Sequence, residues 1–349
     1  MSDVRFLLLT HSVGDLRTFH KKMWLLDKYN INSFWLKYDG LWSFIKKLCN
    51  PSFRDFRVLE VSDPKELKIG VLAKILTGCK LYYDVREDWF NYFYELPGRS
   101  PRSLLKASYM WLQELMLLPF VDKIIACDEW IRKRYSRYFP RRVILQRAYP
   151  LKKHIHRPKK GITKGKKTLN LVYIGGVTKY RGIGLLIGYV LRWNRELKNS
   201  IELTLDIYGR ADRRDWLPIE HEEIRFLGRF PYPKVMSLLG KYDVGVLLWS
   251  PILKKFSHNI PIKLYDYMAG GLPVIISQHG AAGLELCRAD AGIAIKDPYD
   301  YLSFVAAIET MLKPGEYGVM SKAAIRWSWE HNFDEDSKDY IDAIRKEVG

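Results

Sequence analysis

Short apolar runs recur along the chain with helical segments between them: RFLLL near residue 5, NSFWL near 32, RVLEV near 57, KLYYDV near 80, DKIIAC near 122 and RVILQ near 142. Strands that alternate with helices predict a parallel sheet with crossover helices on both faces. The pattern restarts after residue 168 with LNLVYIGG, IELTLDIYG, EEIRFLG, YDVGVLLW, LPVIIS and AGIAI. The expected fold is therefore α/β, with two Rossmann-like, doubly wound parallel-sheet domains facing a cleft. Its segments are a first domain over 1–150, a basic linker over 151–168, a second domain over 169–335 and a closing helix over 336–349. The linker, LKKHIHRPKKGITKGKKT, has eight lysines and arginines and no acid. That composition reads as an exposed tether, with contact to phosphate or lipid as its functional alternative.

Composition agrees with two packed cores. The 349 residues suit two domains at roughly 100 to 200 each, and 48% of them are apolar. Lysine and arginine number 57 against 39 acids, a balance of +18 that attracts polyanions: nucleic acid, anionic lipid or a phosphorylated substrate. No helix-turn-helix, zinc-finger or RNP-like pattern accompanies the charge, so nucleic acid is set aside. Cys49, Cys79, Cys127 and Cys287 show no CxxC spacing, which predicts a reducing, cytoplasmic setting with neither disulfide framework nor zinc. The first apolar run is short and reads as a buried strand. The longest candidate span, LLKASYMWLQELMLLPFV over 104–121, is broken by Lys106, Gln113, Glu114 and Pro119.

In doubly wound folds ligands bind beyond the carboxyl ends of the strands, so chemistry is sought there. After LVYI comes a Gly175-Gly176 turn followed by Lys179 and Arg181. Glycines admit a ligand close to the backbone, and a helix start presents N–H groups to an anion. The GxxxxGK[ST] loop is absent, which disfavours triphosphate hydrolysis. The stretch HNIPIKLYDYMAGGLPVIIS, 258–277, sets His258, Asn259 and Ile260 before a helix that carries Lys263 and Asp266 three apart. Those two either pair on a solvated face or divide the work, Lys263 meeting an anion and Asp266 accepting from vicinal hydroxyls. A lysine in a first turn opposes the helix dipole unless an anion sits between. Arg86, Glu87 and Asp88 end the YYDV strand and are either a cap with an ion pair or cleft residues. His11 follows the first strand, with a structural role as its alternative. The acids of FDED, 333–336, read as caps, and no metal site is expected.

With these segments in hand the chain resembles the GT-B glycosyltransferases of the family 4 type, glycosyl transferases group 1. NIPIKLYDYMAGGLPVIIS is similar to that family's P-x-K-x-x-E-Y-M-A-x-G-x-P-V-I stretch. DLRTFHKKMWLLDKYNI, YYDVREDWF, VDKIIACDEWI, the YIGG…YRG turn and the closing helices add to the likeness. The resemblance implies a retaining, metal-independent hexosyltransferase that needs no cofactor. It implies transfer of a sugar from a nucleotide-diphosphate donor in the second domain to a glycan or lipid-linked acceptor on the first. By position, Arg181 and Lys263 neutralise the diphosphate and Asp266 holds the ribose. Arg86 stands near the reacting sugar, and Gly175, Gly176, His258, Asn259, Ile260, Glu87 and His11 line the substrates. Three positions depart: His258 replaces the first of the family's paired acids, Gly176 an arginine, and Arg86 a histidine. The alternatives are a catalytically weak nucleotide-sugar binding protein and a non-hydrolysing epimerase. Basic, aromatic stretches at 34–48 and 132–142 suggest docking at the inner face of an anionic membrane, against an ordinary basic surface.

Overall fold

The computed structural model describes residues 6–10, 16–31, 33–37, 44, 46, 56–159, 161, 162, 165–196, 201–210, 221–229, 234–250 and 255–348. The chain forms two compact units, one of residues 1–151 with 333–349 and the other of 152–332.

The first unit runs β1 (Phe6–Thr10), α1 (Leu16–Tyr29), β2 (Ser33–Lys37), β3 (Val58–Val61), α2 (Pro64–Thr77), β4 (Lys80–Val85), α3 (Trp89–Glu95), α4 (Pro101–Leu117), β5 (Lys123–Ala126), α5 (Glu129–Ser136) and β6 (Val143–Leu145). Its sheet has the order β2-β1-β3-β4-β5-β6, all parallel. These strands are short continuous apolar runs because helices cover both faces, and Val58, Leu59, Leu81, Tyr83 and Ile124 are fully buried. Local signals fix the helix limits. Asp63 caps α2 in a capping box with Glu66, Pro64 opens it, and Gly78 closes it in the left-handed region at φ 73°.

The second unit runs β7 (Thr168–Ile174), α6 (Ile183–Glu196), β8 (Glu202–Tyr208), β9 (Ile224–Gly228), α7 (Val235–Leu239), β10 (Val244–Leu247), α8 (Lys255–His258), α9 (Ile262–Ala269), β11 (Val274–Ser277), α10 (Gly280–Ala289), β12 (Gly292–Ile295), α11 (Tyr301–Leu312) and α12 (Glu316–Glu330). Its sheet order is β12-β11-β10-β7-β8-β9, again all parallel. Every strand expected from the apolar runs is present. The chain then returns to the first unit as α13 (Phe333–Asp336) and α14 (Lys338–Val348).

Two local expectations change. The basic segment before β7 is no free tether: the His156 N–H donates to the Ala269 carbonyl at 2.8 Å, the Lys159 N–H to Ser321 Oγ at 2.8 Å, and the Lys159 ammonium to the Gly240 carbonyl at 3.3 Å. The FDED acids join elements: Asp334 accepts from the Trp24 indole and the Lys28 ammonium, both at 3.2 Å, and Asp336 from the Arg147 guanidinium at 2.7 Å. Among the described residues no cluster of acids, histidines and cysteines has metal-binding geometry.

Candidate functional site

In the second unit the chain leaves β7 toward β8 and β9, then returns to β10 on the other side of β7. The switch point of the sheet is therefore at the carboxyl ends of β7 and β10, where a doubly wound fold opens a crevice. Both glycine-bearing segments lead there. Gly175 has φ 153° and donates its N–H to the Tyr208 carbonyl at 2.7 Å. A Cβ on Gly209 would lie 1.7 Å from the Gly175 oxygen, so the two loops touch through backbone alone. Gly182, at φ 67°, is pressed on the end of β10: a Cβ there would fall 1.6 Å from the Leu248 oxygen. The Ser250 N–H completes this junction at 3.2 Å from the Tyr180 carbonyl.

Lys263, in the first turn of α9, lies across Gly175. A Cβ on Gly175 would be 2.1 Å from Lys263 Cε and 2.9 Å from its Nζ. The Arg181 guanidinium lies beside Gly176, with Cζ 3.9 Å from where a Cβ would be. Tyr173 ties these parts: its hydroxyl donates to the Gly176 carbonyl at 2.9 Å and is hydrogen-bonded to Arg181. Burial raises the Tyr173 phenol above its ordinary value, against the lowering effect of Arg181, so the hydroxyl stays protonated. Two cations thus flank a backbone stretch without side chains, which is the layout that receives a compact, multiply charged anion.

Helix α9, which carries Lys263, is anchored to the sheet by Tyr267, one turn on. Its hydroxyl accepts the Ile174 N–H at 2.8 Å, and its ring fills the space above Gly245, where a Cβ would come within 2.3 Å. Asp266, between Tyr265 and Tyr267, is a buried acid. His258 is exposed at the end of α8, with Asn259 and Ile260 half-buried between the helices. The structure therefore groups Gly175, Gly176, Arg181 and Lys263 and sets Asp266 on the same helix as Lys263. Tyr173, Tyr267, Gly182 and Gly209 shape the site without having been singled out. The adjacency of Tyr173 to the glycine pair and of Tyr267 to Asp266 was the available signal.

Arg86 and Glu87 belong to the first unit. Arg86 Nε donates to Asp84 at 2.9 Å. Asp84 is fully buried; Arg17 Nε lies 3.0 Å from both its oxygens and Lys21 Nζ 2.9 Å from one. Lys21 also donates to Glu60 at 2.6 Å, and Tyr340 to the other Glu60 oxygen at 2.7 Å. Burial would raise the Asp84 carboxyl, but Arg17, Lys21 and Arg86 outweigh it and hold the group well below the usual carboxylate range. Asp88 caps α3 and pairs with Arg134 at 3.1 Å, the cap-and-ion-pair alternative for that strand end. Glu87 is half-buried beside them, and His11 lies outside the described residues.

A cavity of about 380 Å³ sits elsewhere, against alternate residues of β7, β8 and β9. Its polar groups are spent on one another: Arg225 grips Asp206 at 2.6 and 2.8 Å, and Tyr242 donates to Asp206 at 2.5 Å. The switch point, not this cavity, has cations directed at open backbone.

Residues 168–314 match the family model Glycosyl transferases group 1. No curated protein matches the chain in sequence. Among solved structures, Anabaena HepE in complex with UDP-glucose is similar over 98% of this chain and 99% of its own, at 11% identity and TM-score 0.68. Sucrose-phosphate synthase from Thermosynechococcus elongatus aligns over 98% and 99% at 13% identity and TM-score 0.65. A glycosyltransferase from Rickettsia africae aligns over 100% and 99% at 10% identity and TM-score 0.61. At these identities the likeness is one of fold.

Proposed function

We propose that this chain, a GT-B protein with a glycosyl transferases group 1 domain over residues 168–314, is a glycosyltransferase that takes its sugar from a nucleotide-diphosphate donor. The observation that carries the reading is Lys263 lying across Gly175 with Arg181 beside Gly176, at the switch point of the second sheet. A departing diphosphate gains negative charge as the bond to the sugar breaks, and fixed cations aimed at it lower the barrier. Each charge-assisted hydrogen bond supplies about 1.5–3 kcal/mol. In this reading Arg181 and Lys263 do that work without a metal or other cofactor, and Asp266 accepts from the ribose hydroxyls. His258, Asn259 and Ile260 face the donor sugar, a hexose transferred with retention. The acceptor is a glycan or lipid-linked saccharide met by the first unit, where Arg86, Glu87 and His11 are the candidate contacts, on the cytoplasmic side of a membrane.

A thermal-shift panel of uridine, guanosine and adenosine diphosphates and their sugar conjugates tests the site, with uridine first because HepE was solved with UDP-glucose. One ligand is expected to raise the melting temperature, and Lys263→Ala and Asp266→Ala to abolish the rise. An unchanged rise in both variants overturns the assignment. The second reading, a donor-binding protein without turnover, is favoured by one feature, the exposed His258 where the resembled family pattern has an acid. Donor binding without release of nucleoside diphosphate, from any donor, selects it.

A further inference from the structure

Helix α4 is built inside out. Ser103, Ala107, Met110 and Glu114 recur on its inward face at intervals of four, three and four, and all are buried. The polar members of that face have fixed partners: the Gln113 amide donates to the Pro64 carbonyl at 2.6 Å, and Glu114 accepts from the Tyr83 hydroxyl at 2.9 Å and from Tyr135. Outward, Leu105, Tyr109, Leu112 and Met116 recur at the same intervals, from 53% to 72% exposed. The stripe continues onto α2, because the Lys74 ammonium donates to the Phe120 carbonyl at 2.9 Å and so brings the end of α2 to the end of α4. Ile75, Leu76 and Phe120 are exposed at that junction. A contiguous apolar surface of this extent marks a partner.

Charge identifies the partner. Helices α2 and α4 contain two acids, Glu66 and Glu114, and both are buried. Their exposed charges are all positive: Lys65, Lys68, Arg102 and Lys106. A protein partner would have to desolvate this lysine-rich rim, and lysine is depleted at such interfaces. An anionic bilayer takes both features at once, the apolar stripe entering the acyl boundary while the cations reach the headgroups. Tyr109 and the exposed Trp111 are side chains that prefer that depth. Among the described residues no helix is long and apolar enough to cross a membrane.

We propose that the α2–α4 face docks the chain on an anionic lipid bilayer, with α4 lying in the interface. Docking is independent of the transfer reaction; only its consequence, that the acceptor is met at the lipid surface, rests on the proposed function. The test is flotation with phosphatidylcholine vesicles, with and without about one-third phosphatidylglycerol, the anionic fraction supplying roughly 1 kcal/mol per basic residue. The wild type is expected to float with anionic vesicles and at least tenfold less with neutral ones. Leu105→Ser/Leu112→Ser/Met116→Ser and Lys68→Glu/Lys106→Glu should each lose at least tenfold while retaining the wild-type thermal shift with donor. Quenching of wild-type tryptophan fluorescence by brominated lipid, diminished in Trp111→Phe, gives a readout that needs no multiple variant. A wild type that stays at the bottom of the gradient overturns the inference. So does flotation of the apolar triple variant at wild-type level, or a dimer in solution that the triple variant dissociates.

Discussion

At Gly175 one added methyl group weighs on binding more than on packing. A Cβ there meets the far end of a flexible lysine, 2.1 Å from Lys263 Cε, and the residue holds φ 153°. Lys263 can swing aside, which leaves the backbone strain of an L residue at that φ, about 1–3 kcal/mol, so Gly175→Ala should lower the melting temperature moderately and lose the shift with nucleoside diphosphate. Gly182→Ala has no such escape, since its Cβ would sit 1.6 Å from a backbone oxygen at φ 67°. It should lower the melting temperature well beyond Gly175→Ala, and equal melting of the two would contradict the packing argument. Tyr267→Phe tests the anchoring of α9, the helix that carries Lys263: it leaves the Ile174 N–H without its acceptor, a loss of about 1–3 kcal/mol in stability. Donor affinity should fall with it although no ligand contact is removed. On the proposed roles of Arg181 and Lys263, chelating divalent metal should leave the donor-induced shift unchanged; its loss in EDTA would return the charge to a metal.

Strands and helices differ in how plainly the chain announces them. The twelve strands of the described residues were legible as short apolar runs; most are covered on both faces and so read as continuous, while β9 alternates, with Arg225 and Leu227 exposed. The glycine turn and the start of α9 were legible for a similar reason: glycine pairs and a first-turn lysine are unusual choices that backbone geometry or an anion must explain. Partners in space were not legible. RKRYSRYFPRR read as a basic, aromatic docking surface, yet Tyr135 is buried against Glu114 and Phe139 packs on the core, leaving Tyr138 as its exposed ring. Conversely, α4 read as a nearly apolar segment interrupted by polar residues, when two of these, Gln113 and Glu114, belong to its inward face. Arg17, Lys21, Glu60 and Asp84 look like ordinary surface charges in the chain but form a buried network at the ends of β3 and β4. Asp84→Asn strips the anion from between three cations, so the first unit should lose about 3–5 kcal/mol in urea unfolding. The Asp84 carboxyl is depressed by folding, so its contribution is complete above the unfolded value near 4 and declines as pH falls below it. The acid limb of the wild-type stability profile should therefore be steeper than that of Asp84→Asn, and parallel limbs would remove Asp84 as its cause.

At the scale of the whole chain, the first unit is not complete until the last sixteen or so residues have been made. Phe333 through Val348 return to it after the second unit, and their contacts close the same charge network. Tyr340 donates to Glu60, its ring lies 4.7 Å from the Lys21 ammonium, Ser337 accepts from the Gln146 amide at 3.0 Å, and Asp336 pairs with Arg147. Tyr340, Ile341 and Ile344 are almost completely buried there. At about 1.5–3 kcal/mol for each large apolar side chain, their removal costs on the order of 5 kcal/mol or more. That is a large share of the roughly 5–15 kcal/mol that stabilises a domain. The second unit, by contrast, is closed by residues 152–332 alone. A chain truncated after Asn332 should therefore show faster amide exchange in β1, β3, β4 and α1, while β7, β10 and β11 keep their protection. Its melting should split into an early transition that donor does not move and a later one that donor raises. Uniform loss of protection across both sheets would mean that the second unit depends on the first, and a single donor-sensitive transition would mean that the C-terminal helices contribute little to the first.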